Sequence, residues 1–283
     1  MRQNTISEAL HQARHIIGDT DARVLLQHAL NVSHTHLIAH SDRELLPEQA
    51  QYFGELTQRR ACGEPVAYLT GKREFYSLDF KVTPAVFIPR PETELLVDLA
   101  LERIPVDRSS KVLDLGTGSG AIALTIARHR PLASVFAVDV SIEAIAIAKL
   151  NAEQLDVQNV SILEGDWYHG LAGERFDLIV SNPPYVASAD PHLARGDLRF
   201  EPSIALTDGG DGLDCLRSII GSAPAHLVAG GTLLVEHGYD QAEACRRLMN
   251  NAGIRAIICH PDLAGIPRIS GGIRMVRQGT NKT

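Results

Sequence analysis

The sequence predicts an α/β protein: a doubly wound, seven-stranded Rossmann-like sheet preceded by a small all-helical domain. Three observations carry this. From residue 110 onward, short apolar and β-branched runs alternate with helix-length amphipathic runs, the pattern of strands joined by crossover helices. A glycine-rich turn, Gly116-Thr117-Gly118-Ser119-Gly120, follows the first of those runs and opens a helix, as in nucleotide-binding α/β folds. The first 73 residues instead space their apolar side chains at helical intervals.

Residues 1–73 are therefore expected to be helical. Ala22, Leu25, Leu26, Ala29 and Leu30 recur at i, i+3, i+4, i+7 and i+8, one face of a helix. Asp21 is placed as its N-cap and Asn31 near its stop. Pro47 opens a second helix through Phe53, Leu56 and Arg60, since a first helical turn has no use for the missing N–H. Residues 74–88, EFYSLDFKVTPAVFI, are rich in aromatic and β-branched types, with Asp79 and Pro84 as breaks. They predict a β-hairpin, so that 74–90 links two domains. PRPETE at 89–94 leads into a helix through Leu95, Leu96, Leu99 and Ala100, and puts Glu92 and Glu94 where the helix dipole favours negative charge. The domain at 91–283 then offers strands at 111–115, 134–139, 160–163, 176–181, 232–237, 255–260 and 273–277. Helices follow from Ala121 and from Ile142 to Gln154, and the alternation implies a parallel sheet.

Apolar residues make up 45% of the 283 positions and charged residues 22%, enough core to exclude a largely disordered chain. The net charge of −7 argues against a protein that coats nucleic acid, which needs a basic face. No run approaches the ~20 apolar residues of a membrane span. MRQNTISEALHQARH at the start has no apolar signal core, so a cytoplasmic protein is expected. Cys62, Cys215, Cys245 and Cys259 show no CxxC or other ligand spacing, against both a disulfide framework and a zinc site. His11 and His15 are four apart without a third ligand, and DGGDGLD at 208–214 lacks the final glutamate of a calcium loop. No metal is expected.

Asp114 lies at the end of the first strand, and the glycines beyond it let backbone approach a ligand closely. The helix that follows turns its free N–H groups to the same place. Asp139 ends the second strand, where a carboxylate can accept hydrogen bonds from both ribose hydroxyls. GTGSGA also satisfies G-x-G-x-x-A, so the turn alone leaves a nicotinamide dinucleotide open beside S-adenosylmethionine. Asp114 at the head of GxGxG tilts the reading to the latter, and so does the end of the fourth strand.

There FDLIVS runs directly into Asn182-Pro183-Pro184-Tyr185. The prolines lack N–H groups and stiffen the chain, leaving their carbonyls as acceptors. Asn182 adds a carbonyl acceptor and an NH₂ donor, and Tyr185 a flat face. Together they form a cradle for a planar –NH₂ group. Asn182, Pro183 and Tyr185 are the candidate catalytic residues.

The motif resembles that of class I S-adenosylmethionine methyltransferases that modify exocyclic or amide nitrogens. More specifically, the chain is similar to the HemK/PrmC family of N5-glutamine methyltransferases of class 1 peptide chain release factors. GKREFYSLDF (71–80), IPRPETE (88–94), DLGTGSGAIAL (114–124), SNPPY (181–185), RFEP (199–202) and DLAGIPR (262–268) carry the likeness. The resemblance implies a class I methyltransferase fold, with a helical substrate-docking domain at 1–73. It implies S-adenosylmethionine as cofactor and S-adenosylhomocysteine as product. Gly116, Thr117, Gly118, Ser119 and Gly120 would wrap the methionine end, Asp139 would hold the ribose, and Trp167 of GDW (165–167) would lie on the adenine. Asn182 would touch cofactor and substrate, and Asn182, Pro183, Pro184 and Tyr185 would grip the glutamine of a Gly-Gly-Gln motif. Arg90 and Glu92 would flank the site entrance. The expected partner is a release factor, with a monomeric enzyme and no stable nucleic-acid binding. NPPY also serves enzymes that methylate adenine N6 or guanine N2, so a nucleic-acid methyltransferase is the alternative. A non-catalytic docking module is a third reading, disfavoured by the intact amide cradle.

Overall fold

The structure is a computed structural model that describes residues 4–275. Five helices build the first compact unit: α1 (Ile6–Ile17), α2 (Asp19–Leu30), α3 (His34–Ala39), α4 (Pro47–Ala61) and α5 (Val66–Thr70). Thr5 and Glu8 cap α1 reciprocally. Ile6, Leu10, Leu25, Leu26, Leu37, Phe53 and Leu56 meet in its core. The N-cap of α2 is Gly18 at φ 83°, not Asp21. Asp21 sits inside the first turn and accepts a hydrogen bond from Arg60 at 2.7 Å, a pairing across 39 residues that outcompetes local capping. Asn31 ends α2 in the left-handed conformation, and Pro47 opens α4. Residues 194–200 pack with this unit rather than with their chain neighbours. Arg60 holds Asp197 at 3.1 Å, and Arg199 donates to the Cys62 carbonyl.

The second unit comprises Arg73–Leu193 and the chain from Glu201. The hairpin is shorter than expected: β1 (Lys72–Phe75) and β2 (Leu78–Lys81) turn at Tyr76 and Ser77, both at positive φ, the mirror-image turn that suits strand twist. Asp79 lies inside β2, and residues 82–90 form no strand. The turn is instead anchored on α6 (Glu94–Arg103): Glu94 accepts the Tyr76 N–H at 2.8 Å and Asp98 its hydroxyl at 2.7 Å.

The main sheet uses β3 (Lys111–Leu115), β4 (Ser134–Asp139), β5 (Val160–Glu164), β6 (Phe176–Ser181), β7 (Leu227–Glu236), β8 (Ile254–Pro261) and β9 (Pro267–Arg274). Their order is β5-β4-β3-β6-β7-β9-β8. The first five are parallel, but β9 runs antiparallel to β7 and β8, so the sheet is mixed rather than parallel. The cause is the short β8–β9 connection, closed by Asp262 N–H to the Ile266 carbonyl at 2.8 Å; so few residues cannot cross over. The last strand was expected at 273–277; it ends at Arg274, and residues 276–277 lie outside the described residues.

Alternate side chains bury on opposite faces. Val112, Val180 and Leu234 join the cluster that includes α6 and α7 (Ala121–His129), whereas Leu113, Leu115, Ile179 and Val235 join α9 (Asp214–His226) and α10 (Ala242–Asn251). Burial on both faces explains the continuous apolar runs of these strands. Strand β3 has β4 on one side and β6 on the other, so the order in which the chain lays down its parallel strands reverses there. Helix α8 (Ile142–Gln154) follows β4. The carboxyl ends of β3, β4, β6 and β7 thereby bring Gly116, Asp139, Asn182 and Glu236 to one edge, where ligands bind in such sheets.

Candidate active site

The Gly116–Gly120 turn is shaped by its glycines and tied down from both sides. Gly116, Gly118 and Gly120 take φ of 73°, 56° and 83°, conformations that cost other residues. The N–H groups of Gly116 and Thr117 both donate to the Val138 carbonyl, at 2.8 and 3.0 Å. Thr117 Oγ1 donates to Asp114 Oδ2 at 2.7 Å, and Asn151 reaches the Ser119 carbonyl at 2.8 Å. Asp114 is wholly buried, and burial, with the charge of Asp139 beyond it, pushes its carboxyl up to about 7. Its Oδ1 has no hydrogen-bond partner.

Asp139 accepts the Gly118 N–H at 2.8 Å through Oδ2 and the Ser141 N–H at 2.9 Å through Oδ1. Each carboxylate oxygen carries two lone pairs, so both keep capacity for a diol. Burial raises the Asp139 pKa, against the pull of these backbone donors. Trp167 follows β5 and brings its ring to the same turn: a Cβ on Gly116 would lie 3.5 Å from it. Trp167 itself holds a left-handed φ of 51°. The edge thus offers a glycine cradle, a diol acceptor and an aromatic wall.

Asn182–Tyr185 lies at the end of the neighbouring strand. Ser181 Oγ donates to the Leu115 carbonyl at 2.7 Å, tying the end of β6 to that of β3. Asn182 Nδ2 donates to Thr93 Oγ1 at 3.2 Å, which leaves Oδ1 as an unengaged acceptor. Pro183 is buried and Pro184 half-buried. The Tyr185 hydroxyl donates to Glu236 Oε1 at 3.2 Å, and the Tyr185 carbonyl accepts from Gln241 Nε2 at 2.9 Å. Burial, followed by the Glu236 charge, raises the Tyr185 pKa, so the phenol stays a neutral donor. Gly212, at φ 82°, passes so close that a Cβ there would collide with the Tyr185 carbonyl oxygen.

Four of these residues were not foreseen: Thr93, Gly212, Glu236 and Gln241. Thr93 stood inside PRPETE, and Glu236 as a carboxylate directly after the apolar run of β7. Those were the available signals, but the pairing spans distances no periodicity reports. Glu236 is fully buried, and burial pushes its carboxyl up to about 7. Arg90, expected at the entrance, is an ion pair with the buried Glu201, which also accepts the Ile88 N–H at 3.0 Å. Its guanidinium lies 4.9 Å over the Phe87 ring. Glu92 is exposed. Asp208, Asp211 and Asp214 converge within 4.8 Å, with Asp208 engaged by backbone N–H groups and the other two by Arg217.

The PrmC N-terminal domain model matches residues 3–71, and the methyltransferase small domain model matches residues 78–211. A release factor glutamine methyltransferase of Xylella fastidiosa is 51% identical over 256 residues, 90% of this chain and 93% of that protein. The chain belongs to the release factor glutamine methyltransferase family. A second member, from Burkholderia pseudomallei, is 52% identical over 258 residues, 89% of this chain and 90% of the relative. A methyltransferase structure from Pyrococcus furiosus aligns with a TM-score of 0.56 at 18% identity, covering 79% of this chain and all of that one. At that identity it supports the fold: a class I methyltransferase sheet.

Proposed function

We propose that this chain transfers a methyl group from S-adenosylmethionine to the side-chain amide N5 of the glutamine in the Gly-Gly-Gln motif of class 1 release factors. The observation that carries the reading is Asn182, presented at the carboxyl edge of β6 with its NH₂ on Thr93 and its carbonyl free, in a chain 51% identical to a family member over nine-tenths of its length.

Bound S-adenosylmethionine supplies a methyl group on a sulfonium, already activated for displacement. Gly116, Thr117, Gly118, Ser119 and Gly120 would enclose its methionine end, Asp139 would accept from the ribose hydroxyls, and Trp167 would cover the adenine. The protein's task is the amide nitrogen, whose lone pair is delocalised. Asn182 Oδ1 and the Pro183 carbonyl accept its two hydrogens and turn the lone pair to the methyl. Tyr185 backs the amide plane, and Pro184 keeps the strip rigid. Alignment of this kind is worth roughly 7–11 kcal/mol in well-oriented systems. Positive charge developing on nitrogen strengthens the same two hydrogen bonds in the transition state. The methylated amide nitrogen then gives up a proton, and S-adenosylhomocysteine leaves.

The helical unit docks the release factor, and the enzyme works as a cytoplasmic monomer without stable nucleic-acid affinity. The test is labelled S-adenosylmethionine offered in parallel to release factor, duplex DNA and ribosomal RNA, with mass spectrometry to place the methyl. A gain of one methyl on the Gly-Gly-Gln glutamine is expected. Label in nucleic acid alone would contradict the reading.

A further inference from the structure

Two short turns form a rim beside the Asn182–Tyr185 strip. The first follows β7. Gly238 N–H donates to Gln241 Oε1 at 2.8 Å, and Gln241 Nε2 donates to the Tyr185 carbonyl at 2.9 Å. Tyr239 stands on this turn, 69% exposed. The second turn joins β8 to β9, and the His237 N–H ties the two together by donating to the Arg268 carbonyl at 2.9 Å. A line of hydrogen bonds and adjacent residues therefore runs from Tyr185 through Gln241, His237 and Arg268 to Asp262.

Asp262 makes the second turn rigid. Its Oδ1 accepts the Ala264 and Ile266 N–H groups at 2.9 and 3.0 Å, and its Oδ2 accepts from Arg268 Nε at 3.0 Å. Its own N–H donates to the Ile266 carbonyl at 2.8 Å. At the tip stands Leu263. At 109% relative exposure it is the most open large apolar side chain among the described residues. Asp262 and Arg268 neutralise each other, and Leu263, Ala264, Gly265 and Ile266 carry no charge. A lone exposed leucine is ordinary. This one is held out on a tightly bonded turn at the edge where the substrate arrives. The turn is ordered before any partner meets it, so burying Leu263 costs little further entropy.

Resting on the proposed function, we infer that Leu263, with Tyr239 on the neighbouring turn, is the apolar anchor that docks the release-factor surface flanking the Gly-Gly-Gln loop. The occupant follows from place and charge. A polypeptide whose glutamine enters the Asn182–Tyr185 strip must lay the chain around that glutamine over this rim. The rim offers apolar contact, and the one cation of the Asp262–Arg268 turn is already paired. That suits a protein surface and not a phosphate backbone. The anchor serves affinity for the whole release factor, not the transfer step.

Titration calorimetry of release factor into the full-length enzyme, saturated with S-adenosylhomocysteine, tests this in the wild type, Leu263→Ser, Leu263→Met and Tyr239→Ser. Turnover is followed beside it on release factor and on a short peptide centred on Gly-Gly-Gln. Leu263→Ser is expected to weaken binding and raise KM for release factor about ten- to a hundredfold, the worth of one buried leucine. Its kcat, and its kcat/KM on the peptide, should stay within about twofold of wild type. Its melting temperature should not move, because so exposed a side chain supports little of the fold. Leu263→Met should bind as the wild type does, and Tyr239→Ser should weaken binding by a smaller factor. An unchanged dissociation constant in Leu263→Ser, or a loss shared equally by release factor and peptide, would overturn the inference. So would a wild-type dimer in sedimentation that Leu263→Ser dissolves while release-factor binding persists, since the tip would then belong to a second copy of this chain. Leu263-dependent binding of a release factor whose glutamine stays unmethylated would uphold the docking and overturn the reaction. Normal methylation with undiminished affinity in Leu263→Ser would do the reverse.

Discussion

Two loops share the carboxyl edge of the sheet, and they are held in opposite ways. The Gly116–Gly120 turn is braced from nearby: Thr117 bonds Asp114 three residues back, and Gly118 bonds Asp139 21 residues on. The Asn182–Tyr185 strip is stiff because of its prolines, but its orientation comes from afar. Asn182 is held by a residue 89 positions away, the Tyr185 hydroxyl by one 51 away and its carbonyl by one 56 away. A cofactor turn can thus be braced largely by the strand–helix–strand unit that carries it, with Asn151 of the next helix on the Ser119 carbonyl. Aiming an amide cradle takes partners from three further elements.

That contrast can be broken most forcefully at Gly212. Gly212→Ala places a Cβ against the Tyr185 carbonyl oxygen at φ 82°, so kcat should fall about 10²-fold while S-adenosylmethionine still binds. Titration calorimetry beside turnover checks it, and equal losses would mean the two loops are not separately held. Asp139→Asn should give the mirror result. Losing the anionic acceptor should weaken cofactor affinity by about 10–100-fold, the range for hydrogen bonds to charged groups, with kcat at saturating cofactor within about threefold. Gln241→Ala leaves the Tyr185 and Gly212 carbonyls without their donor. At roughly 1 kcal/mol per bond, it should lower kcat by about five- to thirtyfold, with little change in cofactor affinity.

The smallest effect concerns pH and stability. Glu236 and Asp114 both sit at about 7 in the folded chain, against ordinary values of 4.5 and 3.8. Between those limits the folded state holds more protons than the unfolded state, so stability falls as pH rises. Their contribution is complete below about pH 4 and is lost above about pH 7. Melting temperatures of Glu236→Gln should therefore gain on the wild type as pH rises from 5 to 8. A constant difference would mean that Glu236 titrates at an ordinary value.

The same contrast explains what could be read from the sequence. The glycine turn and Asp139 are visible because their spacing follows strand and helix lengths, Trp167 only through the family resemblance, and the central strands because both of their faces are buried. NPPY was visible because its chemistry is contained in four consecutive residues. Thr93 and Glu236 were not singled out, since hydrogen bonds across 89 and 51 residues leave no period in the sequence. The antiparallel β9 was missed for a related reason: strand direction there depends on a tight loop after Pro261, not on the strand's composition. Asp21 looked like a cap because its partner Arg60 lies on another helix.

The central claim is that Asn182 acts on the substrate amide, and turnover of Asn182→Ala set against its S-adenosylmethionine dissociation constant tests it most directly. Removing the oxygen that binds the amide in the transition state should cost about 10²–10³-fold in kcat, as for other preorganised electrostatic groups, and shift cofactor binding by no more than about threefold. Equal losses in both would mean that Asn182 serves the cofactor alone and would contradict the account.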